Sequence, residues 1–293
     1  MLPQAVEDVI EDIRADHTSG ANRIARKGLQ GLEALVNPPA GNADPATIRE
    51  AAKRIAGAQE TNAALYNVCH VFAQLVAEGH EPHEVLARLK TELETARAAI
   101  GRNFLKIAPD RGSVVTLTYS DNVLACLQAA HAKGRVERVY VLESRPMNEG
   151  RFLAIALKES GLETVLAADA MGPSLVAQAG YVLVGADSVL RDAAVVNKVG
   201  TYGLALAAAD HGKPTFVACE TLKFDARYDS GSWPGAPGRP GKEVWDAPPE
   251  AIDVENRYFE VTPGRLVTMV ATERGSYAPD VIRTMLGQAN RQK

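Results

Sequence analysis

The chain has 293 residues, with 32 lysines and arginines against 36 aspartates and glutamates. That length allows one large domain or two smaller ones with ample core. The net charge of −4 speaks against a nucleic-acid surface, which would be basic, so no direct nucleic-acid contact is expected.

The first third reads as helices. Apolar residues recur at spacings of three and four over 5–36, through Val6, Ile10, Ile13, Ile24, Leu29, Leu32 and Leu35. Thr18-Ser19-Gly20 interrupts that pattern. The segment 37–47, NPPAGNADPAT, reads as a loop, with Asp44-Pro45 as cap and first turn of the next helix. Residues 46–77 and 81–106 supply two further long helical patterns, divided at Glu81-Pro82.

From about Gly112 strands and helices alternate. Strands are predicted at Ser113–Thr118, Arg138–Leu142, Thr164–Ala168, Tyr181–Val184, Thr215–Ala218 and Leu266–Ala271. Helices are predicted at Asn122–Lys133, Arg151–Ser160, Pro173–Gln178, Tyr202–His211 and Asp280–Gln288. Such alternation implies a parallel sheet with right-handed crossovers. The Gly- and Pro-rich segment 229–251 reads as an excursion from it. The expected fold is α/β: a helical N-terminal domain (1–110) followed by a Rossmann-like, mostly parallel sheet domain (111–293) carrying most of the ligand site.

Cys69, Cys126 and Cys219 are odd in number and widely spaced, which suits free thiols in a reducing compartment. The acidic start MLPQAVEDVIEDIRAD has no apolar core of a signal peptide, and no apolar run is long enough for a bilayer. The expectation is a cytoplasmic protein without membrane contact.

The densest chemistry lies in LVGADSVLRDAAVVNKVGTY, from Leu183 to Tyr202. Asp187 follows a predicted buried strand, where ligands of open α/β sheets bind. Asn197 and Lys198 come after a short link. Gly200 and Thr201 then open a helix whose free N–H groups and dipole suit an anion, with Lys198 adding a full charge. An acid or base beside an anion site fits a sugar-phosphate enzyme. As a plain alternative, Asp187 and Asn197 serve turns and Lys198 is a solvated cation.

Further candidates sit at other strand ends. Arg145 and Arg151, in ESRPMNEGR, offer cationic forks suited to phosphate. The plain alternative, equally favoured, is that Arg151 is a solvated helix residue and Arg145 a surface ion-pair partner. Lys223, in ETLKF, is a second candidate phosphate contact. Thr118, Tyr119 and Ser120 offer hydroxyls and backbone N–H groups at a helix start, or a simple N-cap. His80 and His83 are not aligned across Pro82, so no metal site is expected. No GxGxxG or Walker-type loop follows a strand, so no dinucleotide is expected, and no cofactor is assigned.

ESRP…GR, GADS…NKVGT and ETLKF, in this order, resemble the translation initiation factor 2B alpha/beta/delta subunit family. That superfamily also holds methylthioribose-1-phosphate isomerase and ribose-1,5-bisphosphate isomerase. Ser19-Gly20-Ala21 resembles its N-terminal glycine motif. The resemblance implies a phosphorylated sugar or nucleotide ligand and a homodimer or higher homo-oligomer. It implies a proton-exchanging aspartate at Asp187 and a substrate-binding pair at Asn197 and Lys198. Ser19, Gly20, Tyr119, Ser120, Arg145, Arg151, Gly200 and Lys223 fall in segments that line the family's site.

The chain also departs from the isomerases. Their catalytic cysteine position holds Thr118, and two N-terminal arginine positions hold Ser19 and Gln59. A threonine hydroxyl is a far poorer proton donor or acceptor than a thiol near neutral pH. The expected function is an aldose–ketose isomerase of a phosphorylated pentose or methylthioribose, with Asp187 and Thr118 at the catalytic positions and Tyr119 or a water in the thiol's role. The alternative is a non-catalytic sugar-phosphate or nucleotide-binding regulatory protein.

Overall fold

The computed structural model describes residues 2–16, 19–36 and 44–289. Thr18 and residues 37–43 of the loop expected over 37–47 lie outside the described residues. The chain divides into two compact units. One comprises residues 1–96 with 222–225, and the other 97–221 with 226–293. The first unit therefore ends near residue 96 and takes in a short piece of later chain.

The first unit is helical: α1 (Gln4–Ala15), α2 (Ala21–Val36), α3 (Pro45–Ala56), α4 (Ala63–Ala77) and the first part of α5 (Pro82–Phe104). Val6, Ile10 and Ile13 of α1 lie on one face and pack with Ile24, Leu29, Leu32 and Leu35 of α2. Each such side chain contributes roughly 1.5–3 kcal/mol on burial. Asp44 caps α3 by accepting from the backbone N–H of Ala46 (2.9 Å) and Thr47 (3.1 Å). The Thr47 hydroxyl, which donates to Asp44 Oδ2 at 2.7 Å, and then those backbone bonds hold its carboxyl below the usual range.

The pattern expected as one helix over 46–77 is two helices. The chain turns through a single 3-10 turn at Gly57–Gln59, and Asn62 caps α4 through Leu65 N–H (3.0 Å). Apolar spacing carries across that turn because both helices face one core, so periodicity alone does not reveal the break.

The second unit is a seven-stranded sheet, ordered β11-β10-β7-β4-β1-β2-β3. Its strands are β1 (Gly112–Leu117), β2 (Val136–Leu142), β3 (Thr164–Ala167), β4 (Tyr181–Val184), β7 (Thr215–Ala218), β10 (Met269–Thr272) and β11 (Gly275–Tyr277). All neighbours pair in parallel except β10 with β11. Helices α6 (Asp121–His131), α7 (Glu149–Glu159), α8 (Gly172–Gln178) and α9 (Thr201–Asp210) connect the strands, and α10 (Pro279–Ala289) closes the unit. β1 and β4 are neighbours although three helices separate them along the chain. The chain runs outward from β1 to β3, then returns to β4 on the other side. The carboxyl ends of β1 and β4 thus flank the switch point at which open α/β sheets bind ligands.

A second, antiparallel ladder was not expected. β6 (Val195–Lys198) pairs with β5 (Ser188–Leu190) and with β9 (Phe259–Thr262). Asn197 and Lys198 therefore lie on a buried strand where none was expected. The remaining strand, β8 (Phe224–Asp225), belongs to the first unit. Among the described residues no helix is long and apolar enough to cross a membrane.

Candidate active site

The turn after β1 is held in an unusual shape. Thr118 has φ +54°, a left-handed conformation that is rare for a β-branched residue. Its N–H donates to Ser144 Oγ at 2.7 Å. Ser144, buried and itself at φ +64°, is fixed by Asp169. The Asp169 carboxylate accepts from the N–H groups of Ser144 and Arg145, both at 2.7 Å. The nest of amides after β2 thus already holds an anion, and that anion is part of the chain.

The ends of β1 and β4 approach closely at Gly185. A Cβ there would stand 2.9 Å from Ser120 Oγ and 3.8 Å from Asn197 Oδ1. Glycine therefore lets Ser120 and Asn197 come to one place. Ser120 also caps α6 through Val123 N–H at 3.4 Å. Tyr119 beside it is 41% exposed. Partial desolvation, with the negative charge of Asp121, raises its phenol pKa.

Asp187 lies two residues beyond Gly185. Its N–H donates to Val196 O at 2.8 Å. Ser188 pairs with Val196 in the antiparallel ladder, so Asp187 stands across from Asn197. Asn197 Nδ2 donates to Thr201 Oγ1 (2.9 Å), whose hydroxyl donates to Lys198 O (2.7 Å). This closed set fixes the Asn197 amide and leaves its Oδ1 beside Gly185.

Lys198 is 3% exposed. Its ammonium donates to Glu149 Oε1 at 3.1 Å and lies 4.6 Å from the centre of the Tyr258 ring. Glu149 can reach it because Gly150 packs against the end of β2, where a Cβ would stand 1.8 Å from Leu142 O. Glu149 Oε2 is buried without a hydrogen-bond partner.

The remaining candidates are bound within the chain. Arg145 Nη2 donates to Val244 O (2.8 Å), and Arg151 pairs with Glu143 (3.2 Å). The N–H groups of Gly200 and Tyr202 both donate to Glu260 Oε1, at 2.7 and 2.9 Å. The helix start read as an anion site does carry an anion, supplied by β9. Gly200 at φ +102° gives the turn that presents those amides.

Ser19, Gly20 and Lys223 belong to the first unit. Ser19 N–H donates to Asp16 Oδ1 at 2.9 Å, and Gly20 O receives the first bond of α2, from Arg23 N–H (2.9 Å). Gln59 Nε2 donates to Ile13 O and Asp16 O, both at 2.7 Å. Lys223 is buried, in a turn whose carbonyls at Leu222 and Phe224 accept from Asn67 Nδ2 (2.7 and 2.8 Å).

The second unit thus brings Thr118, Tyr119, Ser120, Asp187 and Asn197 to the ends of β1 and β4. Glu149, Tyr258, Glu260, Ser144 and Asp169 went unnoticed in the sequence. Glu149 lay inside the motif that nominated the two arginines. Tyr258 and Glu260 follow the excursion, where no strand was expected. Among the described residues no group of three or more His, Cys, Asp or Glu could hold a metal ion.

Parallel α/β order with a carboxylate and an amide at the switch point is the arrangement in which open α/β sheets hold small ligands. The profile of the Initiation factor 2 subunit family matches residues 17–279, and the chain belongs to that family. It is 30% identical to ribose 1,5-bisphosphate isomerase of Archaeoglobus fulgidus, over 98% of this chain and 95% of that one. It is 31% identical to methylthioribose-1-phosphate isomerase of Gemmatimonas aurantiaca, over 94% and 85%. The crystal structure of translation initiation factor eIF-2B from Pyrococcus horikoshii superposes with a TM-score of 0.79 at 27% identity, covering 95% of this chain and 98% of that one.

Proposed function

We propose that the chain is a sugar-phosphate isomerase, acting on a phosphorylated pentose or methylthioribose. The placement of Asp187 across from Asn197 at the switch point carries this reading. An aldose–ketose isomerisation moves a carbon-bound hydrogen between neighbouring carbons. One carbon is oxidised as the other is reduced, so no redox cofactor is consumed. The step needs a group that takes a proton and returns it, and Asp187 fills that role. Asn197 and Lys198 hold oxygens of the substrate. Tyr119 is the protein's candidate for the second proton position, since a phenol is in the donor form at neutral pH and Tyr119 stands at the end of β1 beside Ser120. The protein acts as a homo-oligomer.

A second reading rests on one observation, that all three cysteines are buried; the family resemblance implies in addition that Thr118 takes the position of the isomerases' thiol. On that reading the same pocket binds a sugar phosphate or nucleotide and regulates without turnover. One experiment separates the two. The protein is incubated with ribose 1,5-bisphosphate and with methylthioribose 1-phosphate, the product is followed by NMR, and the melting temperature is measured with each. Turnover supports the isomerase. A raised melting temperature without turnover supports the binder, because a ligand that binds only the folded state stabilises it. Neither response removes both.

A further inference from the structure

Two cations of this region, Lys198 and Arg145, lead to the same short stretch of the Gly- and Pro-rich excursion. Arg145 donates to Val244 O at 2.8 Å. Lys198 faces the Tyr258 ring, and Tyr258 OH donates to Glu243 Oε2 at 2.7 Å. Arg239, four residues before Glu243, lies 4.9 Å from the centre of the same ring. Asn256 ties the stretch down from the other side, with Nδ2 donating to Pro240 O (3.0 Å) and Glu243 Oε2 (2.8 Å).

The Lys198 ammonium carries three donors and is almost wholly removed from water. Glu149 takes one of them. An ammonium so buried needs further electrostatic support, and the negative face of an aromatic ring supplies it. We propose that Tyr258 is a positioning residue for Lys198, itself held by Glu243 of the excursion. The ring orients the ammonium and keeps water off it, and the hydroxyl fixes the ring. Burial and the bond to Glu243 also push the Tyr258 phenol up to about 12, so the bond is present throughout the neutral range. That Lys198 then meets a sugar phosphate rests on the proposed function.

The test compares Tyr258→Phe, which keeps the ring, with Tyr258→Leu, which does not. Tyr258→Met takes the place of the leucine variant if circular dichroism shows that one unfolded. The first readout needs no ligand. Lysine acylation by N-hydroxysuccinimidyl acetate is followed by mass spectrometry near neutral pH. Without the ring, Lys198 is expected to label roughly tenfold faster than in the wild type, and with phenylalanine, which keeps the ring but loses its bond to Glu243, at a rate between the two. Equal labelling of Lys198 in the wild type and the ring-less variant overturns the proposal. So does labelling in Tyr258→Phe as fast as in Tyr258→Leu.

The second readout is the dissociation constant for ribose 1,5-bisphosphate. It is expected to rise roughly tenfold without the ring and to stay within about threefold with phenylalanine. If the wild type binds and the ring-less variant binds as well, Tyr258 does not position Lys198 for the ligand. If the labelling changes as expected but the wild type binds no ribose 1,5-bisphosphate, the proposed function fails and the positioning by Tyr258 stands.

Discussion

Glu260 on β9 holds the start of α9 through Gly200: one carboxylate oxygen accepts the N–H of Gly200 at 2.7 Å and that of Tyr202 at 2.9 Å. The positive end of that helix is therefore neutralised from a strand about 60 residues later in the chain, not from solvent. Replacing Glu260 with alanine leaves two amides without an acceptor. The cost is expected at about 1–2 kcal/mol, a fall of roughly 2–6 °C in melting temperature. Inorganic phosphate should restore more of this loss than it adds to the wild type, since the freed amides form an anion site. Equal phosphate responses in the two proteins would show that the cradle does not accept a ligand anion.

Thr118 pays for its left-handed backbone with a β-branched side chain. Thr118→Cys removes the branch and puts a thiol at the end of β1, so the variant is expected to melt no lower than the wild type. If the chain is an isomerase short of one proton partner, turnover of ribose 1,5-bisphosphate should rise at least about tenfold. Unchanged turnover would mean that Tyr119 or a water already does the work.

The three native thiols should be silent. Burial pushes the Cys69 and Cys126 thiols up, and Cys219 is equally enclosed. Only a thiolate reacts quickly with a disulfide reagent. The folded wild type is expected to show no fast-reacting thiol near neutral pH, and all three after denaturation. The Thr118→Cys variant should add a single fast one. A fast thiol in the folded wild type would make that cysteine a candidate for the catalytic thiol.

The parallel sheet was legible because its central strands, such as β4 and β7, are buried on both faces and read as short apolar runs. Tyr181–Val184 and Thr215–Ala218 fall where expected, residue for residue. The antiparallel ladder was not legible. β5 and β6 are short, and β6 ends in the polar pair Asn197-Lys198. Its other partner, β9, lies beyond the excursion, and nothing local to either strand announces the pairing. The same physics hid half of the site. Asp187 and Asn197 stand out as polar residues beside apolar runs, whereas Glu149, Tyr258 and Glu260 matter through contacts between distant segments.

Tyr258 gives a prediction in alkali. Its phenol titrates near 12 in the folded chain against about 10 for a free tyrosine. The folded state therefore holds this proton more tightly than the unfolded state does. The stability this contributes is complete below about pH 10 and is lost as the pH rises toward 12. Tyr258→Phe has no proton to lose there. Its melting temperature is expected to fall less steeply than that of the wild type across this interval. Parallel curves would place the Tyr258 phenol in an ordinary aqueous setting.

Asp187→Asn separates chemistry from structure. The backbone bond from Asp187 to Val196 O does not involve the side chain, and asparagine keeps nearly the same shape. The variant should therefore melt within a few degrees of the wild type and bind ribose 1,5-bisphosphate within about threefold. It loses the group that accepts and returns a proton, which is typically worth about 10²–10⁴-fold in rate. Turnover should fall by at least that lower figure. An asparagine variant as fast as the wild type would remove Asp187 from the proton transfer. A wild type that binds without turnover, matched by the variant, would leave Asp187 and Asn197 as two walls of a sensing pocket.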